Sequence, residues 1–345
     1  MLATPSIASE LPKATALPLK LSNATAEEMY WKVRQEVIFR HTGEHPYEIS
    51  GPDAEKLLQK IFTRDISKVK VGRCSYQFAC YNDGGMLTDG VLLRLEENKF
   101  WILAGAGNGM IDLNWLKINS PDDGSVQIID WTSALAGIGL WGPNSRLALE
   151  KLCEDDDVSN EAFPFFSIKR ISISNIPCVA VRISYIGELG WEIYTPTEYG
   201  LTLWDELREV SREFNMICSG AGAFESLRLE KGYRSLGSDI HTNTNPYESG
   251  LGFTVKLKKD IDFIGKEALS KIKEQPIQKK LASMILDDPE GMALGTEPIY
   301  SEDKPVGYVT STNYGYFVDK HIAVSYTHLR AHETDSYLVC RLLLE

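Results

Sequence analysis

A carboxylate held between two glycines is the most informative feature of the sequence. The segment 182–194 reads RISYIGELGWEIY and places Glu188 between Gly187 and Gly190, where two strands are expected to meet. Glycines allow a backbone to approach a flat ligand closely. A fixed carboxylate can accept two parallel hydrogen bonds from a ligand edge that carries adjacent N–H and NH₂ groups. The segment indicates a binding site for such an edge, and a hairpin with a solvated glutamate is the structural alternative.

Two further segments place charged groups at defined positions. Arg228 follows Glu225 by one helical turn, so it forms either an intrahelical salt bridge or a site for an anionic ligand tail. Asp89 follows a turn at residues 84–85 and stands at the start of an expected strand, where its carboxylate is displayed. A polar hairpin turn is the alternative there.

The periodicity of apolar residues predicts the elements that position these groups. Helices are expected over residues 26–37, 52–62, 110–117, 145–153, 201–210 and 221–231, and strands over 47–50, 91–95, 100–103, 171–173 and 177–183. The polar stretch 271–280 carries Pro276 and is interpreted as a linker, after which strand-rich sequence resumes. The alternation predicts an α/β (α+β) fold of antiparallel layers followed by a small β domain.

The composition disfavours several classes of function. The 345 residues include 36 Lys and Arg against 48 Asp and Glu, a formal net charge of −12, which disfavours nucleic acid and anionic membranes as partners. No apolar run approaches the roughly 20 residues of a membrane span. The cysteines are scattered without a CxxC pair, so reduced thiols and a cytoplasmic location are expected. Residues 1–21 lack the pattern of a signal peptide and are interpreted as a loose N-terminal arm.

Two motif-like strings favour plain structural roles. The run 105–109 reads GAGNG, which lacks the GxGxxG spacing of a dinucleotide site and predicts a simple strand-to-helix turn. His41 and His45 are four residues apart, but Gly43 and Pro46 break a helix between them, so a shared metal ion is not expected. The sequence contains neither a GxSxG elbow nor a P-loop.

The order and separation of several segments together resemble the folate-binding aminomethyltransferase family. That family includes the T-protein of the glycine cleavage system and the tetrahydrofolate domains of dimethylglycine and sarcosine dehydrogenases. The matching segments are SGPDAEKLLQKIFTRDIS (50–67), NDGGMLTDG (82–90), LWGPNSR (140–146), RISYIGELGWEIY (182–194), ESLRLEKGYRSLGSDI (225–240), TNPYESGLGFTVKLKKDIDFIGKEAL (244–269) and PVGYVTSTNYGYFVDKHIA (305–323). From residue 163 to 269 the likeness is closest to the dehydrogenase-associated domains.

The resemblance implies a cloverleaf around a central folate channel. Two interleaved antiparallel α/β subdomains are expected over residues 22–275 and a C-terminal small β-barrel over 276–326. The final stretch 327–345 breaks the strand pattern and resembles translated adapter sequence, with a terminal amphipathic helix or a metal pair at His328 and His332 as alternatives. A barrel short of strands is therefore expected, with an unpaired edge and weakened stability.

The resemblance also implies roles for individual residues. Glu188 is expected to hold the 2-amino-4-oxo edge of the pterin, and Asp89 to stabilise cationic character or relay a proton near the reactive nitrogens. Arg228 is expected near the p-aminobenzoyl-glutamate part of tetrahydrofolate, and Tyr76 in the channel wall. Tyr185 and Glu192, in the same segment as Glu188, are the remaining expected cofactor-binding residues.

Two departures from the family pattern bear on the choice of donor. The glycine-cleavage branch has Asp-Asp where this chain has Thr88 and Asp89, and the resemblance gives the first of those acids the key place beside the folate nitrogens. The DVSHM-like segment of the family is altered here to Phe39-Arg40-His41-Thr42. A hydroxyl cannot supply negative charge to a developing cation, so aminomethyl transfer from a lipoyl carrier competes with one-carbon transfer from a flavin dehydrogenase subunit.

Three further functions stay open. The chain could act as an S- or N-demethylase giving methyl-tetrahydrofolate, or as a true glycine-cleavage aminomethyltransferase. A third possibility is a non-catalytic folate-binding protein of the same fold. The last group carries a Lys-Gly-Cys-Tyr motif, and the nearest string here, 231–234, reads KGYR without the cysteine.

Overall fold

The computed structural model describes residues 24–328 except 43, 106, 154, 289, 290 and 302. The α-helices of this part are α1 (Ala26–Gln35), α2 (Ala54–Ile61), α3 (Gly109–Asn119), α4 (Ser145–Leu152), α5 (Gly200–Phe214), α6 (Ala221–Glu230) and α7 (Lys266–Glu274). Its strands are β1 (Ile38–His41), β2 (His45–Ser50), β3 (Arg73–Cys80), β4 (Met86–Glu96), β5 (Lys99–Ala104), β6 (Gln127–Asp130), β7 (Leu135–Trp141), β8 (Ile168–Ile173), β9 (Ile176–Val181), β10 (Gly190–Pro196), β11 (Ile217–Cys218), β12 (Lys279–Ile285), β13 (Pro298–Ser301), β14 (Lys304–Gly315) and β15 (Lys320–His328).

These strands form three sheets, in agreement with the predicted mixed α/β fold. The first sheet has the order β11-β1-β7-β10-β9-β8, the second β3-β4-β5-β2-β6, and the third β12-β15-β14-β13. Every neighbouring pair is antiparallel except β1 with β11. The third sheet is open rather than a closed barrel over the residues described. Of the suspected tail 327–345, Thr327 and His328 still belong to β15, where they pair with Lys280 and Lys279 of β12. Residues 329–345, and with them His332, lie outside the described residues, as does the arm 1–21.

The helices form where capping and apolar spacing agree. At α1 the Thr25 side chain accepts from the Glu28 backbone N–H and the Glu28 carboxylate accepts in return, a capping box that fixes the first turn. The expected stripe of α2 is buried at Leu57, Leu58 and Ile61. The helix itself begins two residues after Pro52, which lies in the preceding turn.

The expected linker at 271–280 is wrong for most of its length. Lys271–Glu274 closes helix α7, and Lys279 already belongs to β12, so only residues 275–278 connect the two elements. The polar residues form the solvent face of an amphipathic helix whose inner side buries Leu269. Lys271 pairs with Glu267 at 2.6 Å, which adds the i,i+4 support that a linker would lack.

The first and second sheets pack face to face, with helices on their outer sides. α4 and α5 cover the outer face of the first sheet, and α2 and α3 cover that of the second. Between the sheets lies an apolar layer that includes Cys74, Leu93 and Trp101 from the second sheet and Val181 and Tyr194 from the first. The side chains that could do chemistry lie at the end of this layer. No helix in the described part of the chain is long and apolar enough to cross a bilayer.

Candidate active site

Asp89 points from β4 into the space between the two sheets. Alternation along a strand sends successive side chains to opposite faces. Leu93 belongs to the apolar layer between the sheets, and Asp89, four residues earlier, shares its face. The Tyr76 hydroxyl donates to the Asp89 carboxylate at 2.7 Å. Burial raises the pKa of Asp89 to about 6, and the Tyr76 hydrogen bond opposes that rise.

Thr88 points the other way, towards the helices. It shares a strand face with Leu92, which packs in the cluster beneath α2 and α3. The opposing carboxyl on α3 is Asp112, only 4% exposed, whose pKa burial raises to about 6 while the Thr88 hydroxyl opposes that rise. Residue 88, where the resemblance placed an acid beside the folate nitrogens, therefore lies outside the cleft. Asp89, the remaining acid, faces into the cleft.

Glu192 is the second carboxylate in the cleft. It alternates on β10 with Trp191 and Ile193, which fill the core behind the first sheet, so its side chain faces the second sheet. The Tyr194 hydroxyl donates to the Glu192 carboxylate at 2.8 Å. Glu192 is only 8% exposed. Burial raises its pKa to about 7, with the Tyr194 hydrogen bond opposing the rise.

Glu44 brings a third carboxyl group to the same place. Its pKa is raised well above the usual range, first by burial and then by the negative charges of Glu192 and Asp89, while Arg40 opposes the rise. Because Glu44 interacts with both Glu192 and Asp89, these two expected site residues belong to the same cleft. Three carboxyl groups in a partly dry space favour sharing of protons or binding of a ligand with N–H groups or positive charge.

An aromatic ring is buried behind the cleft because two glycines make room for it. A Cβ atom on Gly139 or Gly190 would lie 1.7 or 2.4 Å from the Trp141 ring, so both positions must stay glycine for the indole to cover β7 and β10. The Phe224 ring packs against that of Trp141, with centroids 5.3 Å apart. The two rings meet at 61° and Trp141 is 1% exposed, so the indole supports the half-buried Phe224 ring from behind.

Tyr185 adds a second half-buried ring beside Phe224. Its ring centroid is 6.0 Å from those of Phe224 and Tyr233, and it is stacked on the latter. Its hydroxyl donates to the Arg234 carbonyl at 2.7 Å. Burial raises the pKa of Tyr185, so this phenol stays protonated and serves as a fixed wall.

Glu188 lies apart from the cleft carboxylates. It stands in the turn before β10, its side chain is 15% exposed, and it forms an ion pair with Arg34 of α1. Burial raises the pKa of Glu188, and Arg34 and Lys231 oppose that rise. Its carboxylate is therefore already engaged by a guanidinium.

Arg228 is also engaged. Its side chain is 3% exposed and pairs with Glu225 at 2.7 Å and with Asp239 at 2.7 Å. It donates in addition to the Tyr233 carbonyl at 3.1 Å. The expected intrahelical pair with Glu225 is present, and Asp239 is a second partner that helical spacing could not indicate.

Sequence reasoning missed three cleft residues: Arg40, Glu44 and Tyr194. The altered segment 39–42 was a signal for Arg40, because a charged residue had entered a family motif. Tyr194 could have been inferred from its i,i+2 spacing to Glu192 on a strand. Nothing in the sequence indicated that the short loop after β1 returns Glu44 to the cleft.

The structure also contains a groove that borders Tyr194, the tyrosine bound to Glu192. It has a volume of about 530 Å³ and runs along β8 and β9, where Trp101, Trp131 and Arg170 help to line it. None of the residues expected to bind or transfer a one-carbon unit borders it. The charged and hydrogen-bonded groups of the cleft therefore mark the candidate active site.

Comparison of the sequence with family models assigns the chain to a family. The model described as the GCVT N-terminal domain matches residues 13–259, and that of the glycine cleavage T-protein C-terminal barrel domain matches residues 279–339. The chain belongs to the glycine cleavage T-protein family. Its activity is accordingly tetrahydrofolate-dependent one-carbon transfer.

Individual relatives come from both branches of the family. The aminomethyltransferase of Symbiobacterium thermophilum is 35% identical over 289 residues, covering 83% of this chain and 76% of that protein. Human mitochondrial dimethylglycine dehydrogenase is 34% identical over 298 residues, covering 86% of this chain but only 34% of the dehydrogenase. The fold matches the crystal structure of aminomethyltransferase T from Bartonella henselae, with a TM-score of 0.79, 24% identity, and coverage of 88% of this chain and 82% of that one.

Proposed function

We propose that the cleft between the first two sheets binds tetrahydrofolate, with Glu192 at the pterin edge and Asp89 beside the reactive nitrogens. The observation that carries this proposal is that Asp89 and Glu192 face the same space from the two sheets, each with a tyrosine hydroxyl as donor. The bound pterin would supply the nitrogens that accept the one-carbon unit. The half-buried rings of Phe224 and Tyr185 offer apolar contacts to its flat ring.

Glu192 fits the pterin edge better than Glu188 does. Both are carboxylates in the segment 182–194, but the Glu188 carboxylate already binds Arg34, whereas Glu192 accepts only from the neutral Tyr194 hydroxyl. An ionised carboxylate has about four lone-pair sites, so Glu192 keeps acceptor capacity for two parallel N–H bonds. Glu188 is assigned instead to holding α1 against the turn before β10.

Asp89 is the residue that stabilises positive charge or accepts a proton during one-carbon transfer. Its pKa of about 6 leaves it ionised but weakly basic near neutral pH, which suits both stabilisation of positive charge and acceptance of a proton. The Tyr76 hydroxyl fixes one carboxylate oxygen and leaves the other for the reacting group. The surrounding rings limit the access of water to the one-carbon unit.

The orientation of Thr88 leaves an aminomethyl donor possible. Because this side chain faces α3, its replacement of an acid removes no charge from the cleft. The likeness to a dehydrogenase of dimethylglycine makes an oxidised N-methyl donor, delivered by a flavoprotein partner, the form that we favour. A lipoyl carrier is the other candidate partner, and the cytoplasmic location stays a prediction.

A pair of matched variants tests the assignment of the pterin edge. Isothermal titration of tetrahydrofolate should show that Glu192→Gln weakens binding by about tenfold or more, since a charge-assisted pair is lost. Glu188→Gln, a chemically identical change four residues away, should leave the affinity within about threefold. The reverse ranking would move the pterin to Glu188, and absence of binding to the wild-type protein would end the proposal.

Product analysis separates the donors. Incubation with tetrahydrofolate and each candidate donor should give methylene-tetrahydrofolate if the donor is oxidised or carries an aminomethyl group. Methyl-tetrahydrofolate would instead identify a demethylase. A protein that binds tetrahydrofolate but gives neither product with any donor would be the non-catalytic folate-binding member of the fold.

A further inference from the structure

Arg40 is a cleft residue to which neither the motifs nor the proposed mechanism gives a role. It pairs with Gly139 across β1 and β7, and Gly139 pairs with Glu192 across β7 and β10. Residues directly opposite one another share a face, so Arg40 and Glu192 lie on the cleft face of one cross-strand row. Two strand spacings separate their Cα atoms by about 10 Å.

The guanidinium of Arg40 has a ring contact but no ion-pair partner. Its Cζ lies 4.3 Å from the centroid of the Phe224 ring. Within the residues that the structure describes, it has no hydrogen bond to any acceptor and no carboxylate within 4.0 Å. The guanidinium carries five N–H donors, so the Phe224 contact leaves its hydrogen-bonding capacity unused.

The nearby acids do not cancel the charge of Arg40. The two that act on it are Glu44 and Glu225. Glu225 is committed to Arg228, to which it is bound at 2.7 Å. Burial and the neighbouring carboxylates favour the neutral form of Glu44. The cleft therefore has a positive end at Arg40 and an acidic end at Glu192 and Asp89.

We infer that Arg40 binds a carboxylate group of a ligand in this cleft, an inference that rests on the proposed function. The planar guanidinium matches a carboxylate with two parallel hydrogen bonds, and Phe224 holds the plane of the fork in place. Two ligands of this reaction can carry the carboxylate. One is the glutamyl tail of tetrahydrofolate, and the other is a one-carbon donor of the amino-acid type.

Binding measurements with paired probes test the inference. Tetrahydrofolate is compared on the full chain with its diamide, in which both glutamyl carboxylates are replaced by neutral amides. N,N-dimethylglycine is then compared with dimethylamine, which lacks the carboxylate, on the protein loaded with tetrahydrofolate. The variants are Arg40→Gln, Arg40→Lys and the control Arg212→Gln, which removes the same charge from a side chain that is 75% exposed. Thermal melting of each variant verifies that it is folded.

The expected result is selective for the carboxylate. Arg40→Gln should weaken one carboxylate-bearing probe by about tenfold to a hundredfold and leave its carboxylate-free counterpart unchanged. Arg40→Lys should lose less, because the charge remains while the fork is lost. A loss confined to tetrahydrofolate identifies the glutamyl tail, and one confined to dimethylglycine identifies the donor.

Three results would overturn the inference. Equal affinities of wild type and Arg40→Gln for all four probes would remove Arg40 from ligand binding. Equal weakening of probes with and without a carboxylate, or the same loss in Arg212→Gln, would reduce it to a general charge effect. If the wild-type protein binds neither folate, the proposed function itself fails, a result distinct from normal binding that is insensitive to Arg40.

Discussion

Two acidic regions of this protein use their carboxylates in opposite ways. Around α6, Asp239 is fully buried and every contact stabilises its charge: Arg228 and the Ser235 backbone N–H donate to one oxygen, and Thr310 and Ser311 hydroxyls to the other. Because Thr310 and Ser311 belong to β14, this network fastens the third sheet to the helix. The Asp239 carboxylate accepts four hydrogen bonds and has no acceptor site left for a ligand.

The cleft acids lack this compensation. Asp89 and Glu192 each accept one hydrogen bond from a neutral tyrosine, and the guanidinium in the same cleft, Arg40, forms no ion pair with either among the described residues. Their raised pKa values report the electrostatic cost of that arrangement. The comparison teaches that charge pairing, rather than the presence of acids, distinguishes a structural network from a site kept open for a ligand.

The largest expected effect comes from breaking the paired region. Arg228→Met should lower the free energy of unfolding by about 3–5 kcal/mol, because it leaves the buried Asp239 carboxylate without its cation. Urea denaturation at pH 7 measures the change. The double variant Arg228→Met with Asp239→Asn is the control and should recover part of the loss. A loss below about 1 kcal/mol in the single variant would mean that the hydroxyl donors alone stabilise the carboxylate.

The next effect tests which face of β4 belongs to the cleft. Thr88→Asp restores the Asp-Asp pattern of the glycine-cleavage branch but places the new carboxylate against Asp112. It should lower the free energy of unfolding by about 2–3 kcal/mol and leave aminomethyl transfer no faster. Thr88→Val, similar in size and uncharged, should cost only about 1 kcal/mol, because it removes the hydroxyl donor to Asp112 but adds no charge. An increase in transfer with unchanged stability would show that residue 88 reaches the cleft.

Thr88 also shows where sequence reasoning stopped. Local periodicity predicted the fold class, the paired strands around residues 91–103 and the buried stripe of α2. It could do so because the spacing of apolar residues along one segment indicates which face is buried. The face of a single residue on β4 depends on which side the second sheet meets the first. That is a long-range fact which spacing within one segment does not contain.

The same limit applies to partners of charged residues. Glu225 and Arg228 are one helical turn apart, so their pairing was predictable, whereas the contacts of Arg228 with Asp239 and of Glu188 with Arg34 link distant segments. The motif therefore located the acidic segment 182–194, and tertiary structure separated its two glutamates. Glu188 is held by Arg34, and Glu192 faces the cleft.

A smaller effect, of opposite sign, is expected in the cleft. Asp89→Asn should raise the free energy of unfolding at pH 7 by about 1–2 kcal/mol, because it removes a charge whose pKa in the folded protein, about 6, exceeds that of the unfolded chain. The folded state binds the extra proton between about pH 4 and pH 6. The gain should therefore develop as pH rises through that window and be absent near pH 4.

Asp89→Asn should be less active although it is more stable. Asp89→Asn should slow one-carbon transfer by about a hundredfold or more, since an amide neither accepts a proton nor offsets positive charge. Tyr76→Phe is the matched test of positioning, because it removes only the donor to Asp89. Denaturation from pH 4 to pH 8 and rate measurements on the same samples check both claims. A destabilised Asp89→Asn protein would place Asp89 in the structural class with Asp239.

The smallest expected effect is the pH dependence of tetrahydrofolate binding. With a pKa of about 7, Glu192 passes from mostly protonated at pH 6 to mostly ionised at pH 8, and only the ionised form can accept two N–H bonds from the pterin edge. The affinity of the wild-type protein should therefore rise by about tenfold over this range, whereas Glu192→Gln should show a flat profile. A protein whose site acid were paired like Asp239 would already be ionised at pH 6 and show no such rise. A wild-type affinity that is constant from pH 6 to pH 8 would thus assign Glu192 to the paired class of acids. The cleft would then lack the uncompensated acid that distinguishes it from the region around α6.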